Sequence, residues 1–591
     1  MKYITMLLFV GFIAAVVSAQ TTNHTWGQGI EVRKNKILHY YATPDGKVAN
    51  FFQIAARLRL GQNIEKCRKD FMIQLENPSG DMFYSLPMMG CYLYGYDYWT
   101  SEIHQKAKQV WQTYWPYRGD TENHWVMWHT ALLLAAQTWP DMTADKWING
   151  RSSQENYEDA QGLLNSWLEI ATTIGQGEFD SPHYLQVYLG SLFVLYEFVR
   201  DPVMKQKAEM ALNWLLADYA GDYLGGAYTG GHSRVYDQDI LDPSKDGSVG
   251  FGYIFFGDTP FPKNASLSFT VFAALSGYRL PEVIQRIATD RDKPYVSFEK
   301  KRVRNIIRFD KEMNPPVYKT NYMSKNFSLG CLDGGLQQPI QIHTWGVTYL
   351  YDDRMKADEL FSLHPYYSYK ELGMFFPEKL KVMVSEVIKS KGTYNKEDKW
   401  TGGSPYERTF QHKNCIIVLY NLDAQTPFKH IDYYFPKSLK KREEGENGWI
   451  FCRGGEAYIA VRPLQPGTWH EEKTCFRFRS PHLQNGVITE VFESADFKSW
   501  QDFKDSMERT KLDLSKLESQ VKVKYTTSSG DEMKFRFPDR RYLNGKFVDL
   551  SKMPLFDSPY LEGNDRVLKV KHGKEEIILD FNKEEIIKKV H

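Results

Sequence analysis

The periodicity of the chain changes near residue 305, and that change limits what it can fold into. Before it, apolar residues recur at helical spacing between short polar links. After it, short β-branched and aromatic runs alternate with turn residues. Helical patterns span about 43–60, 101–115, 122–139, 154–174, 183–200, 202–219, 266–277 and 281–290. In 183–200, Tyr184, Val187, Tyr188, Leu192, Leu195 and Phe198 form one apolar stripe. Asp201-Pro202 then reads as an N-cap followed by a first-turn proline. Helices of four or five turns joined by short links predict antiparallel hairpins, stacked as a closed toroid or as a solenoid. No fixed sequence period stands out, which tells against a simple repeat array.

Strand patterns follow at about 339–350, 413–421, 448–463, 474–479, 487–492, 520–526, 533–537, 566–571 and 575–581, with one helix near 497–512. Turn signals such as Gly454-Gly455, Asn485-Gly486 and Ser529-Gly530 separate them. Many strands with few helices between them predict a mostly antiparallel sandwich. The expected fold is therefore α+β and multidomain. Residues 20–305 are expected to form helical hairpins, stacked as an (α/α) toroid or as a solenoid, and residues 306–591 an antiparallel β-sandwich, with the cleft between them a natural site.

At 591 residues the chain is too long for a single core. Its net charge of +1 gives no electrostatic footprint for nucleic acid, although a local basic groove would still take an acidic glycan. Aromatic residues make up 15%, and their flat faces suit the C–H faces of sugar rings as well as a large core. Residues 1–19 read as a cleavable signal peptide: Lys2, an apolar run from Ile4 to Val17, and Val17-Ser18-Ala19. Export to the periplasm or medium is expected, and no later run is long enough for a membrane span. The six cysteines are too few for a disulfide framework and contain no C-x-x-C pair. Asn23, Asn264 and Asn326 sit in glycosylation sequons.

Four polar clusters could carry chemistry. Asp120-Thr121-Glu122-Asn123-His124 opens a helix, where side-chain donors and free backbone N–H groups can converge on an anion. There the bland alternative is capping by Asp120 or Thr121 with His124 packed beside Trp128. Asp180-Ser181-Pro182-His183-Tyr184 opens another helix, where the Tyr184 hydroxyl either points into a cleft or belongs to the apolar stripe. Gly230-Gly231-His232-Ser233-Arg234-Val235-Tyr236 combines permissive backbone with donors, and Arg234 would clamp a carboxylate or pair with Asp237 or Asp239. On a strand, Gln341, His343 and Trp345 would share one face, either as a substrate floor or around a satisfied sheet histidine.

Together these parts resemble the toroid-plus-sandwich polysaccharide lyases, in particular the heparinase III and oligoalginate lyase branch. That branch has an Asn-His pair on one toroid helix, a catalytic Tyr some fifty to sixty residues on, and a His from the start of the β domain. Asn123-His124, Tyr184 and His343 are similar in order and spacing. The resemblance implies β-elimination across a uronic acid. Asn123 and His124 would neutralise the carboxylate, Tyr184 would move protons at C5 and O4, and His343 would be the partner base. Glu122, His183, His232, Arg234, Tyr236 and Trp345 are the candidate substrate contacts. The substrate is expected to be an acidic polysaccharide or oligosaccharide. No cofactor is required, and a structural metal ion is compatible with the scheme. A glycoside hydrolase, with Asp120 or Glu122 opposite Glu178 or Asp180, is the alternative, and a non-catalytic glycan binder is the third reading.

Overall fold

A helix that is apolar on every face must be covered on every face, and three segments of the first half meet that description. They are α4 (Met82–Tyr94), α6 (Glu122–Thr138) and α8 (Leu185–Phe198). In the computed structural model, which describes residues 29–114, 121–303, 316–334, 342–352, 356–366 and 396–590, these three belong to an inner ring of helices. The signal-peptide reading, Asp120 and Gln341 lie outside the described residues.

The ring closes. In sequence, α1 covers 29–42, then come α2 (Phe51–Arg59), α3 (Ile64–Glu76), α5 (Ser101–Thr113), α7 (Ser153–Ile174) and α9 (Pro202–Gly221). Three shorter helices follow, α10 (Asp237–Leu241), α11 (Val249–Phe255) and α12 (Thr270–Leu275), and then α13 (Glu282–Thr289). Among the inner helices α2 packs on α4, α4 on α6, α6 on α8, α8 on α12, and α12 back on α2. Helices α3, α7 and α9 pack outside them. Closure depends on two glycines. A Cβ on Gly90 of α4 would lie 2.7 Å from the Phe272 ring, and one on Gly190 of α8 would lie 2.5 Å from the Phe269 ring. The arrangement is a toroid and not a solenoid.

Where the helices depart from expectation, local chemistry explains it. The segment expected over 43–60 starts at Phe51, because Asn50 and Gln53 form a capping box there. Helix α4 carries Pro87 and no polar face, so it presents neither a stripe nor an uninterrupted helical sequence.

Antiparallel strands build the second half. A thirteen-stranded sheet runs, edge to edge, β16 (Thr468–Glu471), β17 (Cys475–Ser480), β12 (Ile431–Pro436), β9 (Lys356–Leu363), β8 (Trp345–Tyr351), β6 (Phe327–Asp333), β5 (Pro316–Met323), β4 (Tyr295–Arg302), β24 (Phe556–Asp557), β25 (Leu561–Asn564), β26 (Val567–His572), β27 (Glu575–Asp580) and β28 (Glu585–Val590). A six-stranded sheet, β10 (Glu407–His412), β11 (Cys415–Asn421), β18 (Gln484–Glu493), β15 (Ala457–Pro463), β14 (Ile450–Gly454) and β13 (Lys441–Glu444), lies over part of it, and Leu329, Trp345, Val347, Ile416, Val418 and Ile459 fill the layer between them. A third sheet of five strands and the helix Trp500–Glu508 cover the other face of the six-stranded sheet. The long strands begin at β4 (Tyr295–Arg302), ahead of the expected boundary at 305, and the C-terminal strands return to the helices. Leu568, Val570, Ile577 and Leu579 share the toroid core with α9 and α13.

Toroid and sandwich meet across buried charge. Ser297, Glu299 and Lys301 alternate along β4, opposite Lys319 and Asn321 on β5 (Pro316–Met323), with Glu299 and Lys319 directly paired in register. Facing them are Asp180, from the link before α8, and Asp218 and Asp222, at the end of α9. Lys301 Nζ lies 3.0 Å from Asp180, 2.7 Å from Asp218 and 2.8 Å from Glu299. Lys319 Nζ lies 2.5 Å from Asp180 and also pairs with Asp222. Tyr228 donates to Asp180 at 2.9 Å, and Asn321 to Asp222 at 2.9 Å. Burial pushes the Asp180 carboxyl upward, but the two ammonium groups outweigh it and hold it well below the usual range. Asp222, more strongly dominated by burial, is raised to about 7 despite Lys319.

All six cysteines are buried as free thiols. Asn326 is buried and bound to Glu493, whereas Asn264 is exposed, so only Asn264 of these two sequons is accessible. Among the described residues no helix is long and apolar enough to cross a membrane.

Removing the Lys319 ammonium leaves buried Asp222 without its cation and Asp180 with Lys301 alone. Lys319→Met is expected to destabilise the protein by about 3–5 kcal/mol, read by urea or thermal unfolding. A loss below about 1 kcal/mol, the level of an exposed ion pair, would show that the cluster does not hold the two halves together.

Candidate active site

Glu122 opens α6 and is consumed at once. Its carboxylate accepts from Trp167 Nε1 at 2.9 Å, Gly177 N at 2.9 Å, Glu178 N at 2.7 Å and Arg302 Nη2 at 3.1 Å. With both oxygens engaged and the residue 5% exposed, Glu122 anchors the 175–180 link and has no position left for a substrate. That link in turn places Glu178. Glu178 Oε2 accepts from the Asn123 backbone at 2.9 Å, the Asn123 amide at 2.5 Å and the Tyr188 hydroxyl at 3.1 Å. Glu178 Oε1 lies 3.1 Å from Arg234 Nε. Asn123 Nδ2 also donates to Thr121 Oγ1 at 3.0 Å, so both amide hydrogens are committed inside the protein.

Arg234 carries this chain of contacts to Tyr184. Its backbone adopts a left-handed φ of 59°, and its carbonyl accepts from Ser181 Oγ at 2.7 Å. The same hydroxyl accepts from Tyr184 N at 2.9 Å. The turn sets the guanidinium 4.2 Å above the Tyr184 ring, a cation–π contact. Tyr184 OH lies 2.6 Å from Tyr236 OH. His183 packs edge-on against both tyrosines, at 4.8 and 5.0 Å, and stands 3.7 Å from Asp239. Asp239 also accepts from Tyr236 N at 2.8 Å. Behind it, buried Asp246 is pushed far above the carboxylate range, first by burial and then by Asp239. Burial likewise raises the Tyr184 phenol, with Arg234 opposing and Tyr236 adding to the rise. In the resting site Tyr184 is a proton donor and not a phenolate.

Two histidines lie where the helical half meets the sheets. Strand β3 (His232–Ser233) pairs with β7 (Ile342–His343), setting His232 opposite His343 with the rings 6.4 Å apart and nearly parallel. Gly231 permits this, since a Cβ there would lie 2.2 Å from Leu332 Cγ. His232 Nδ1 lies 2.7 Å from the Asp180 carbonyl, which can only accept, so Nδ1 carries the hydrogen and Nε2 the lone pair. Burial, then Lys319 and His343, lower His232 to about 3. His343 Nε2 faces Glu359 Oε1 at 3.0 Å.

The structure thus connects Glu122, Asn123, His183, Tyr184, Arg234, Tyr236, His232 and His343 through contacting groups. Trp345 is separate. The strand expected over 339–350 breaks at Thr344 within its described part: β7 pairs with β3, whereas β8 (Trp345–Tyr351) pairs with β6 and β9. Trp345 therefore turns into the core between the sheets, 1% exposed, with Nε1 on Ser362. Arg234 pairs with Glu178 and not with Asp237 or Asp239 as sequence proximity implied. Asp246 and Glu359 were not anticipated, and Asp239 only as a partner for Arg234. Only their spacing in three dimensions marks them, since Glu359 lies on a strand, β9 (Lys356–Leu363), with no apolar alternation at its start.

His124 sits at the toroid mouth, its ring 5.7 Å from Phe83. Phe83 also touches Phe269, as does Phe52, so the first turns of α2, α4 and α6 gather at one end. Their dipoles present positive ends there, which favours an anion. Asp180, Asp218, Asp222 and Glu299 have carboxylate spacing fit for a metal ion, but the Lys301 and Lys319 ammonium groups already stand among them.

No protein-family model matches the chain, and no curated protein matches it. Among solved structures, the heparan sulfate lyase HepC from Pedobacter heparinus is similar at a TM-score of 0.34 and 10% identity, over 83% of this chain and 74% of that one. With so loose a superposition, the site stands on its own geometry.

Buried neutral histidines make an acid-sensitive protein. His232 is lowered to about 3 and His364, which contacts Ser404 and the Phe428 carbonyl, to about 4, both mainly by burial, against an ordinary 6.5. Unfolded chains take up these protons near 6.5 and the native protein refuses them. The stability contributed is complete above that pH and is lost as pH falls toward the native values. Unfolding free energy is expected to fall between pH 6.5 and 4, at up to about 1.4 kcal/mol per pH unit for each histidine, and Tm to fall with it. His232→Asn should flatten that acid limb, and an unchanged limb would assign it to other groups.

Proposed function

We propose that this chain is a polysaccharide lyase that cleaves uronate-containing glycans by β-elimination. The observation that carries the reading is the Tyr184–Tyr236 hydroxyl pair at 2.6 Å under the Arg234 guanidinium, in one contact network with a neutral histidine. The C5 hydrogen of a uronate is weakly acidic because its neighbouring carboxylate is already negative. Positive charge and hydrogen-bond donors at that carboxylate stabilise the enolate-like state; the Arg234 guanidinium and the gathered helix N-termini supply the charge, and His124 supplies a donor. The Asn123 amide, spent on Glu178 and Thr121, positions Glu178 and through it Arg234.

A base must remove the C5 proton and an acid must protonate the departing O4. His232 offers a lone pair on Nε2 and stays unprotonated at neutral pH, and His343, the base implied by the resemblance, stacks beside it against Glu359. Tyr184, raised by burial, keeps its proton until the leaving oxygen takes it. The bookkeeping closes as C5–H and C4–O bonds break, a C4–C5 double bond forms, and one proton goes to imidazole while another leaves the phenol.

Hydrolysis would need two free carboxylates flanking the bond. Glu122 and Glu178 are filled by internal donors, and Asp180 is held by two lysines. That difference favours elimination.

Incubation with a panel of polyuronates and glycosaminoglycans should produce new near-ultraviolet absorbance from the unsaturated product, together with reducing ends. Tyr184→Phe keeps the ring and the Arg234 contact, and turnover should drop by about 10²-fold or more with Tm unchanged. Reducing ends without absorbance would mean hydrolysis, and near-normal turnover in the variant would remove Tyr184 from the reaction.

A further inference from the structure

The sandwich carries a second concave surface, away from the residues of the site. It lies where the edge of the six-stranded sheet, β13 (Lys441–Glu444), comes beside the edge of the thirteen-stranded sheet, β16, and encloses about 430 Å³. Small-ligand sites span about 300–1,000 Å³ and combine aromatic walls with a few polar groups. Here the walls are Trp449, Trp469 and Phe478, and the polar groups are Glu444, Arg462 and Gln465.

Trp469 is held in a fixed pose. Its Nε1 donates to Glu444 at 2.6 Å, and Phe435 and Phe478 pack against it, each 5.1 Å away and steeply inclined. Arg442 stacks 4.0 Å over its ring and 4.4 Å over Phe476. Trp469 and Phe478 stay partly exposed within the groove.

The charges are unusual. Arg462 is partly buried, and burial alone lowers its pKa, with no opposing carboxylate. Its bonds go to the Gly448 and Pro463 carbonyls at 3.0 and 3.2 Å. Among the described residues neither Arg462 nor Arg442 has an ion-pair partner. A half-desolvated guanidinium without a counter-charge is costly unless an anion completes it, and its planar fork matches a carboxylate or a sulfate.

We infer that this groove is a saccharide-binding site for acidic sugars, separate from the site that contains Tyr184. The sugar's apolar face lies on Trp469 and Phe478, its anionic group pairs with Arg462, and Glu444 and Gln465 accept or donate to hydroxyls. This role does not depend on the chemistry at Tyr184 and would hold a long polymer on the protein.

Affinity electrophoresis of the full-length protein tests it, in the Tyr184→Phe background so that cutting of the polymer is slowed. The gels contain polygalacturonate, heparin or neutral dextran. Retardation is expected with an acidic polymer and not with dextran. Polygalacturonate alone would identify a carboxylate ligand, and heparin alone a sulfated one. Arg462→Gln and Trp469→Ala should each weaken apparent affinity about tenfold or more, and Trp469→Phe should retain most of it. Circular dichroism confirms folding, and Arg462→Gln carries the test should Trp469→Ala misfold. Equal retardation of wild type and Arg462→Gln, equal retardation by dextran, or no retardation by any polymer would overturn the inference. Binding through this groove without unsaturated product would leave it intact and remove the lyase reading instead.

Discussion

The ammonium groups of Lys301 and Lys319, held among Asp180, Asp218, Asp222 and Glu299, are the interaction on which the rest of the architecture depends. Charges buried this deeply gain little net stability over a well-packed apolar layer, but they cannot tolerate a missing partner. Such a cluster therefore enforces one docking of helices on sheets. Asp180 transmits that choice directly. Its carboxylate joins the cluster while its carbonyl holds His232 Nδ1, so the pose of the imidazole is tied to the docking of β4 and β5. On the other side of the same link, Glu122 and Arg302 fix the backbone that carries Glu178.

Carboxylates near the site serve mainly as tethers. Glu122 binds the link, Glu178 binds Arg234 and Asn123, and Asp239 binds the Tyr236 backbone. In the proposed reaction, proton transfer falls to two phenols and two imidazoles. Burial keeps the phenol protonated and the imidazole bare, which is the pairing an acid and a base need at neutral pH.

Much of this was legible in the sequence, and the gaps have physical causes. Helices α5 to α9 emerged because an apolar stripe or a cap marks each one, as with Asp201-Pro202 before α9. The break from helix to strand was also readable. Strands β4 and β5 were not, because Glu299, Lys301 and Lys319 read as solvent-facing until their partners from α9 and the 175–180 link are present. The residues of the site were found as types at helix mouths, but their roles depended on pairing. Asn123 gives its hydrogens to Glu178, which lies 55 positions away, and no local pattern encodes that. Trp345 was misplaced because one turn at Thr344 separates two strands that looked like one.

The six thiols, sealed one by one inside helices and sheets, have a consequence for how such a molecule matures. Nothing among them waits for an oxidant, an isomerase or a sorting of partners. The native packing therefore rests on the closed helical ring and the pairing of distant strands and not on covalent cross-links.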